Sequence, residues 1–252
     1  ALFQNKMTDA ANYAEAVLAN SSFSLASTAM DFSKNWVAGS SSPEIIFAYV
    51  NNSRASSPLN FTLYVNDTDG SWNYAPSDWC YSSLFADDNT LSRKGDVRLK
   101  ATFTSQDANR VIKYPNGTYQ LAETSDYTCT PVVISRISEM YLEKAEALGK
   151  TNGAAALVEY MKKRYTTAPS EAAIKALSDK EYQTLILDER RREFYAEGMR
   201  WQDIKRTNRL ELLETLDGRT YLMYYPIPQD EIDMAGTVAY PQNPGYAGYT
   251  GN

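Results

Sequence analysis

Half of the residues from Leu185 to Arg206 (LILDERRREFYAEGMRWQDIKR) are charged, and their spacing does not suit a purely solvated surface. Ser178 with Glu181 forms an S-x-x-E capping box ahead of this stretch, and Gly198 stands where a left-handed residue would close it. The spacing therefore predicts one long helix from Ser178 to Glu197. On that helix Leu185, Ile186, Glu189, Arg192 and Ala196 fall near one face, so ions share the side that carries apolar residues. Ions are tolerated in an interior only when they pair with one another, which predicts an internal Arg/Glu network around Glu189 and Arg192 beneath a neighbouring helix, with Trp201 buried beside it. A fold for this chain has to enclose that network.

Upstream, Met7, Ala10, Ala11, Ala14, Val17 and Leu18 recur at helical spacing, and Asn20-Ser21-Ser22 ends the pattern. Glu44 to Tyr49 is a short β-like run behind Pro43. Residues 51–130 turn polar and aromatic, with no lasting helical period; strands are predicted at Asp96 to Phe103 and Arg110 to Tyr114, and a turn at Pro115-Asn116-Gly117. Helices return at about 134–149, ended by Gly149, at about 153–165, and briefly from Ser170. The first two, joined by a four-residue turn, form an αα-hairpin, the unit of tetratricopeptide-type solenoids. The tail beyond Asp217 reads as Pro-punctuated coil. The chain is thus expected to be mainly α: helix and short strand in 1–50, a loop-rich, partly β region in 51–130, a helical scaffold in 131–216 and coil in 217–252. It opens without a cap and reads like part of something longer.

Composition removes several functions. The net charge of −6 disfavours phosphate backbones and anionic lipid, so nucleic acid is not expected as a partner. No run approaches the roughly 20 apolar residues that span a bilayer. With no His and only Cys80 and Cys129, Ser-His and Cys-His catalysis and a Cys/His zinc site fall away. Those two cysteines could form one disulfide or remain two buried thiols. Asn66-Asp67-Thr68-Asp69-Gly70 is dense in side-chain oxygens but lacks the downstream Glu of a calcium loop, and an Asp-Gly hairpin turn explains it with less. No metal or cofactor is expected. Carboxylates are plentiful, but nothing in their order sets a hydrolytic pair across a cleft.

An irregular segment of about 80 residues within a compact domain is usually functional, so binding is sought in 51–130. There Tyr64, Trp72, Tyr74, Trp79 and Tyr81 are interleaved with Asn66, Asp67, Asp69, Asn73 and Asp78. Sugar rings stack apolar C–H faces on aromatic rings and hydrogen-bond their hydroxyls to amides and carboxylates. Trp72, Tyr74, Asp78, Trp79 and Tyr81 are the candidate ligand-binding residues. Each aromatic could equally be holding its loop down.

Three phrases carry a family resemblance: Arg136, Glu139, Tyr141, Leu142, Ala145, Glu146 and Ala147 in an R-x-x-E-x-Y-L-x-x-A-E-A pattern; Glu189 through Arg206; and the ending from Pro226 to Tyr246 (PIPQDEI…QNPGY). Asp96 and Arg98 supply a D-x-R ahead of them. Together they resemble the C-terminal part of the SusD/RagB family of cell-surface nutrient-binding lipoproteins. The resemblance implies that Glu189, Arg190, Glu193, Gly198, Arg200, Trp201, Asp203 and Arg206 are scaffold, and that the protein binds without turnover. It implies a place on the extracellular face of the outer membrane, held there only by an N-terminal lipid anchor absent from this chain. The implied function is polysaccharide utilization: glycan capture and delivery of oligosaccharide, or in some members peptide, to a SusC-like TonB-dependent transporter. A helical-repeat scaffold for protein partners is the alternative.

Overall fold

The computed structural model describes residues 1–37, 42–50, 75–103, 111–113, 131–213, 216–235 and 240–247. These are mainly helical, and they divide into two compact units, Ala1–Met199 and Arg200–Asn252.

In the first unit α1 (Met7–Leu18) buries Ala10, Ala11 and Ala14, small side chains that let it lie close against α4 (Ile137–Arg164). Lys144 and Glu15 pair across that contact. Helix α4 has two helical arms, because Gly149 interrupts it at φ 64°, ψ 174°. That conformation is essentially restricted to glycine. The arms meet where Gly153 lies against the Ala145 carbonyl with no room for a Cβ. The break expected at Gly149 is therefore present, although the first residues of the predicted 134–149 helix belong to β3 (Val132–Arg136). Short α5 (Glu171–Lys175) is capped by Ser170, and α6 (Asp179–Glu193) by the full Ser178/Glu181 box. Helix α6 stops earlier than predicted: Phe194 leaves helical geometry, and Ala196 and Gly198 both take positive φ. The main core joins Leu142, Leu157, Met161 and Tyr160 of α4 to Ile174 of α5 and to Tyr182 and Ile186 of α6.

Two small antiparallel ribbons flank the helices. Strand β1 (Ile45–Tyr49) pairs with β3, Ile45 opposite Arg136 and Tyr49 opposite Val132, and β2 (Lys94–Asp96) pairs with β4 (Tyr165–Thr167). The strand predicted from Asp96 to Phe103 is a correction, since residues Val97–Thr102 form helix α3. Their alternation of Val97, Leu99, Ala101 and Phe103 imitates a strand, but Asp96 caps the turn by accepting from the Arg98 amide, and Arg98, Ala101 and Thr102 are buried at helical spacing. Drawing Arg98 inward outweighs the local pattern. Of the second predicted strand, Val111 forms an isolated bridge to Phe103; the turn at Pro115 to Gly117 lies outside the described residues. Helix α2 (Ala29–Ser33) and the 3-10 turn Lys34–Trp36 bury Phe32 and Trp36.

Helix α7 (Met199–Thr207) leads into the second unit, whose small core is Ile204, Leu216 and Met223. Trp201 packs on that core but stays partly exposed, so the expectation of a fully buried indole is corrected. The tail also departs from coil, forming a 3-10 turn at Thr220–Met223 and α8 (Gln229–Met234). Gln242 explains the closing phrase: its amide accepts from Ile227 N at 2.7 Å and donates to Ile227 O at 2.9 Å, while Asn243 donates to Tyr225 O and Tyr246 to Tyr224 O.

Candidate ligand-binding site

The site rests on a buried lattice of charge in the first unit. Glu193 lies at its centre, accepting from Arg136 Nη1 at 2.5 Å, Tyr160 Oη at 2.7 Å, Arg164 Nε and Nη2 at 2.9 Å each, and Arg98 Nη1 at 3.3 Å. One helical turn earlier, Glu189 accepts from Tyr165 Oη at 2.6 Å and from Arg98 Nη2 and Arg192 Nη1 at 2.9 Å. Glu44 pairs with Arg164 at 2.8 Å, Asp96 with Arg98 at 2.7 Å, and Glu197 with Arg136 and Lys113 at 2.8 and 2.6 Å. The predicted network around Glu189 and Arg192 is present and larger than expected. The quoted phrases already held Asp96, Arg98 and Arg136, and Glu44 headed a noted β-like run, but Lys113 and Arg164 had no local signal.

Burial alone would push the Glu193 carboxyl up, but Arg164, Arg136 and Arg98 outweigh it and hold it well below the ordinary carboxylate value. The same balance, with Arg98 and Arg192 leading the opposition, lowers Glu189. Lys113 goes the other way: burial, only partly offset by Glu197, brings it down to about 8. Saturated in this way, the carboxylates act as ties between segments distant in sequence, which suits a rigid platform.

The platform presents the turn that carries the candidate residues. Residues 78–79 begin a helical turn that continues as the π-helical turn Cys80–Leu84. Its inner side buries Cys80, Leu84 and Phe85 against Phe103 and Val111. Cys80 is a free thiol, 3.3 Å from Tyr195 Oη, and Cys129 lies outside the described residues. Tyr81 turns inward, its ring 5.4 Å from that of Phe103 and its buried hydroxyl without a hydrogen-bond partner among the described residues. Asp78 and Trp79 face outward, and Trp79 keeps 39% of its surface exposed with the Arg191 guanidinium 4.3 Å from its ring centroid. Arg191 belongs to α6, so the indole is seated on the helix that holds Glu189 and Glu193. The structure thus brings Asp78 and Trp79 to one surface and sends Tyr81 to the core side. Trp72 and Tyr74, with Tyr64 and the Asn66 to Gly70 loop, lie outside the described residues. Among the described residues no acid or cysteine cluster could hold a metal.

This arrangement can be compared with known proteins. The SusD family model matches residues 85–219, just over half of the 252 residues. The chain belongs to the SusD family. A relative, SusD-like protein P38 of Formosa agariphila, is 30% identical over 142 residues, 51% of this chain and 27% of the relative. A SusD superfamily protein of Bacteroides fragilis superposes with a TM-score of 0.64 at 20% identity, covering 95% of this chain and 59% of that one. Surface glycan-binding protein A of Bacteroides thetaiotaomicron, in complex with laminarihexaose, gives a TM-score of 0.58 at 19% identity, covering 96% and 61%. These likenesses bear on the SusD fold, and the chain spans about a quarter of the relative and about three fifths of the two solved proteins. Asp78, Trp79 and Tyr81 lie just ahead of the stretch that the family model matches.

Proposed function

We propose that this SusD-family chain is a non-catalytic glycan-capture module of the cell surface. It holds an oligosaccharide and passes it to a SusC-like TonB-dependent transporter in the outer membrane, from the extracellular face. The observation that carries the reading is the exposed Trp79 indole, fixed by Arg191 on a helix of the buried lattice. A flat apolar ring on a rigid seat is what a sugar's C–H face requires, and Asp78 on the same turn supplies an acceptor for hydroxyls. Trp72 and Tyr74 are carried as further candidate ligand contacts on sequence grounds alone, and Tyr81 supports the turn from the core side. Family membership and the glycan complex of the B. thetaiotaomicron neighbour support a carbohydrate ligand. The saturation of Glu189 and Glu193 by arginines leaves those two carboxylates unsuited to general acid or base chemistry, in keeping with capture without cleavage.

A glycan array identifies the ligand, and calorimetry on the Trp79→Ala variant tests the site. Stacking contributes roughly 0.5–1.5 kcal/mol beyond area burial, so affinity should fall on the order of tenfold once the buried area is included. Unchanged affinity would move the site elsewhere, and shortened oligosaccharide after incubation would contradict capture without turnover.

A further inference from the structure

A concavity whose lining does not include Trp79 has a volume of about 560 Å³, inside the range that holds small ligands. One wall is the 88–93 turn, closed by reciprocal backbone hydrogen bonds of 2.8 Å between Asp88 and Arg93 and contributing Thr90 and Leu91. The other is Leu177, just ahead of the Ser178 cap, with Thr184 and Leu185 of α6. Arg93 and Arg192 line the groove from below, each only 4% exposed.

Arg93 is the unusual member. Arg93 meets the field of Glu189 only at a distance, through the shared Tyr165 hydroxyl. Among the described residues it forms no ion pair: its Nη1 donates to Tyr165 Oη at 3.1 Å, its Nη2 to Ala86 O at 3.2 Å, and its buried Nε has no partner. Arg192 spends Nε on the Leu84 carbonyl and Nη1 on Glu189. Of the rim carboxylates, Asp88 accepts from the Thr90 and Leu91 amides and Glu181 from the Ser178 amide, while Asp188 and Lys180 also line the groove. A buried guanidinium that lines an open groove without a direct carboxylate partner, its Nε unsatisfied among the described residues, is a group that an arriving oxyanion can pair with. The leucine strip and the threonine hydroxyls suit the body of a sugar ring.

We propose that this groove is a second ligand site that takes the carboxylate-bearing ring of an acidic sugar, its oxyanion directed at Arg93 and Arg192. The proposal rests on the glycan reading above and narrows it, giving the chain a site that selects charge beside one that stacks.

The probes are a galacturonate trisaccharide and its neutral galactose counterpart, added to the intact chain. Binding is read from the Nε–Hε resonances of Arg93 and Arg192 and from calorimetry. The galacturonate trimer should shift both resonances, and Thr184→Trp, which fills the groove from a half-exposed helix position, should weaken it at least about tenfold. Arg93→Gln should abolish the preference for acid over neutral sugar, while Trp79→Ala should leave galacturonate affinity within about twofold. Loss of galacturonate in Trp79→Ala with full binding in Thr184→Trp would overturn the groove as the site. Equal shifts with the neutral trimer would overturn the acidic class. If neutral glycans bind through Trp79 while the two arginines stay silent, the capture reading stands and this one falls; if no glycan of either kind binds, both fall.

Discussion

Glu189→Ala is the sharpest test of the lattice. The carboxylate is fully buried and holds three partners, Tyr165 Oη, Arg98 Nη2 and Arg192 Nη1, at 2.6–2.9 Å. The partners fare differently when it is removed. Arg98 keeps Asp96 and Glu193, whereas Arg192 keeps only the Leu84 carbonyl and loses its one carboxylate among the described residues. Breaking a buried pair from one side costs about 3–5 kcal/mol because the surviving ion is stranded. That is a large share of the roughly 5–15 kcal/mol that holds a domain together. At about 2–4 °C per kcal/mol for a chain of this size, the thermal midpoint should drop by roughly 6–20 °C. Guanidinium denaturation followed by circular dichroism gives the same quantity as a fall in midpoint at constant slope. Glu189→Leu combined with Arg192→Leu should cost less than the two single changes added together, since neither ion is then stranded. A midpoint within error of the parent, or a double variant that costs the full sum, would refute the reasoning.

Gly149→Ala should destabilise by about 1–3 kcal/mol through backbone strain alone, because φ 64°, ψ 174° is hostile to a Cβ although no atom lies within 4 Å of one built there; an unchanged denaturation midpoint would show that the bend relaxes without glycine. Acid should unfold the chain through the lattice. Glu189 and Glu193 are held below the ordinary carboxylate value of 4.5, so they contribute stability that is complete above that value and is lost as pH falls through their lower folded values. Denaturation midpoints taken from about pH 7 to about pH 3 should therefore fall mainly below about 4.5, and by less in Glu189→Gln; a flat profile over that range would contradict the depressed values.

The parts of the fold that could be read in the sequence are those whose signal is local. The Ser178/Glu181 box, the alanine face of α1 and the stop at Gly149 each sit within a turn or two of what they control. Charge on the apolar face of α6 announced a buried network because burial of ions is so restrictive. The members of that network from other segments were not visible: Lys113 and Arg164 are ordinary cations until the fold sets them beside Glu197 and Glu193. Residues 96–103 misled for the same reason, since Arg98 reaches Glu189 and Glu193 across more than 90 positions of chain. At the candidate site, aromatic density marked the right kind of segment but could not say which ring faces out. Trp79 does and Tyr81 does not, a difference set by Cys80 and Leu84 packing on Phe103 and Val111.

Fluorine NMR on the chain labelled with 5-fluorotryptophan tests the capture surface most directly, with each resonance assigned by a single Trp→Phe variant. Four tryptophans report separately: Trp36 fully buried, Trp201 partly exposed in the second unit, Trp79 on the candidate turn, and Trp72, a further candidate ligand contact outside the described residues. Adding an array-selected oligosaccharide should move the Trp79 resonance along a saturable curve and leave Trp36 and Trp201 in place. A saturating ligand that moves Trp201, or that leaves Trp79 where it was, would contradict the account.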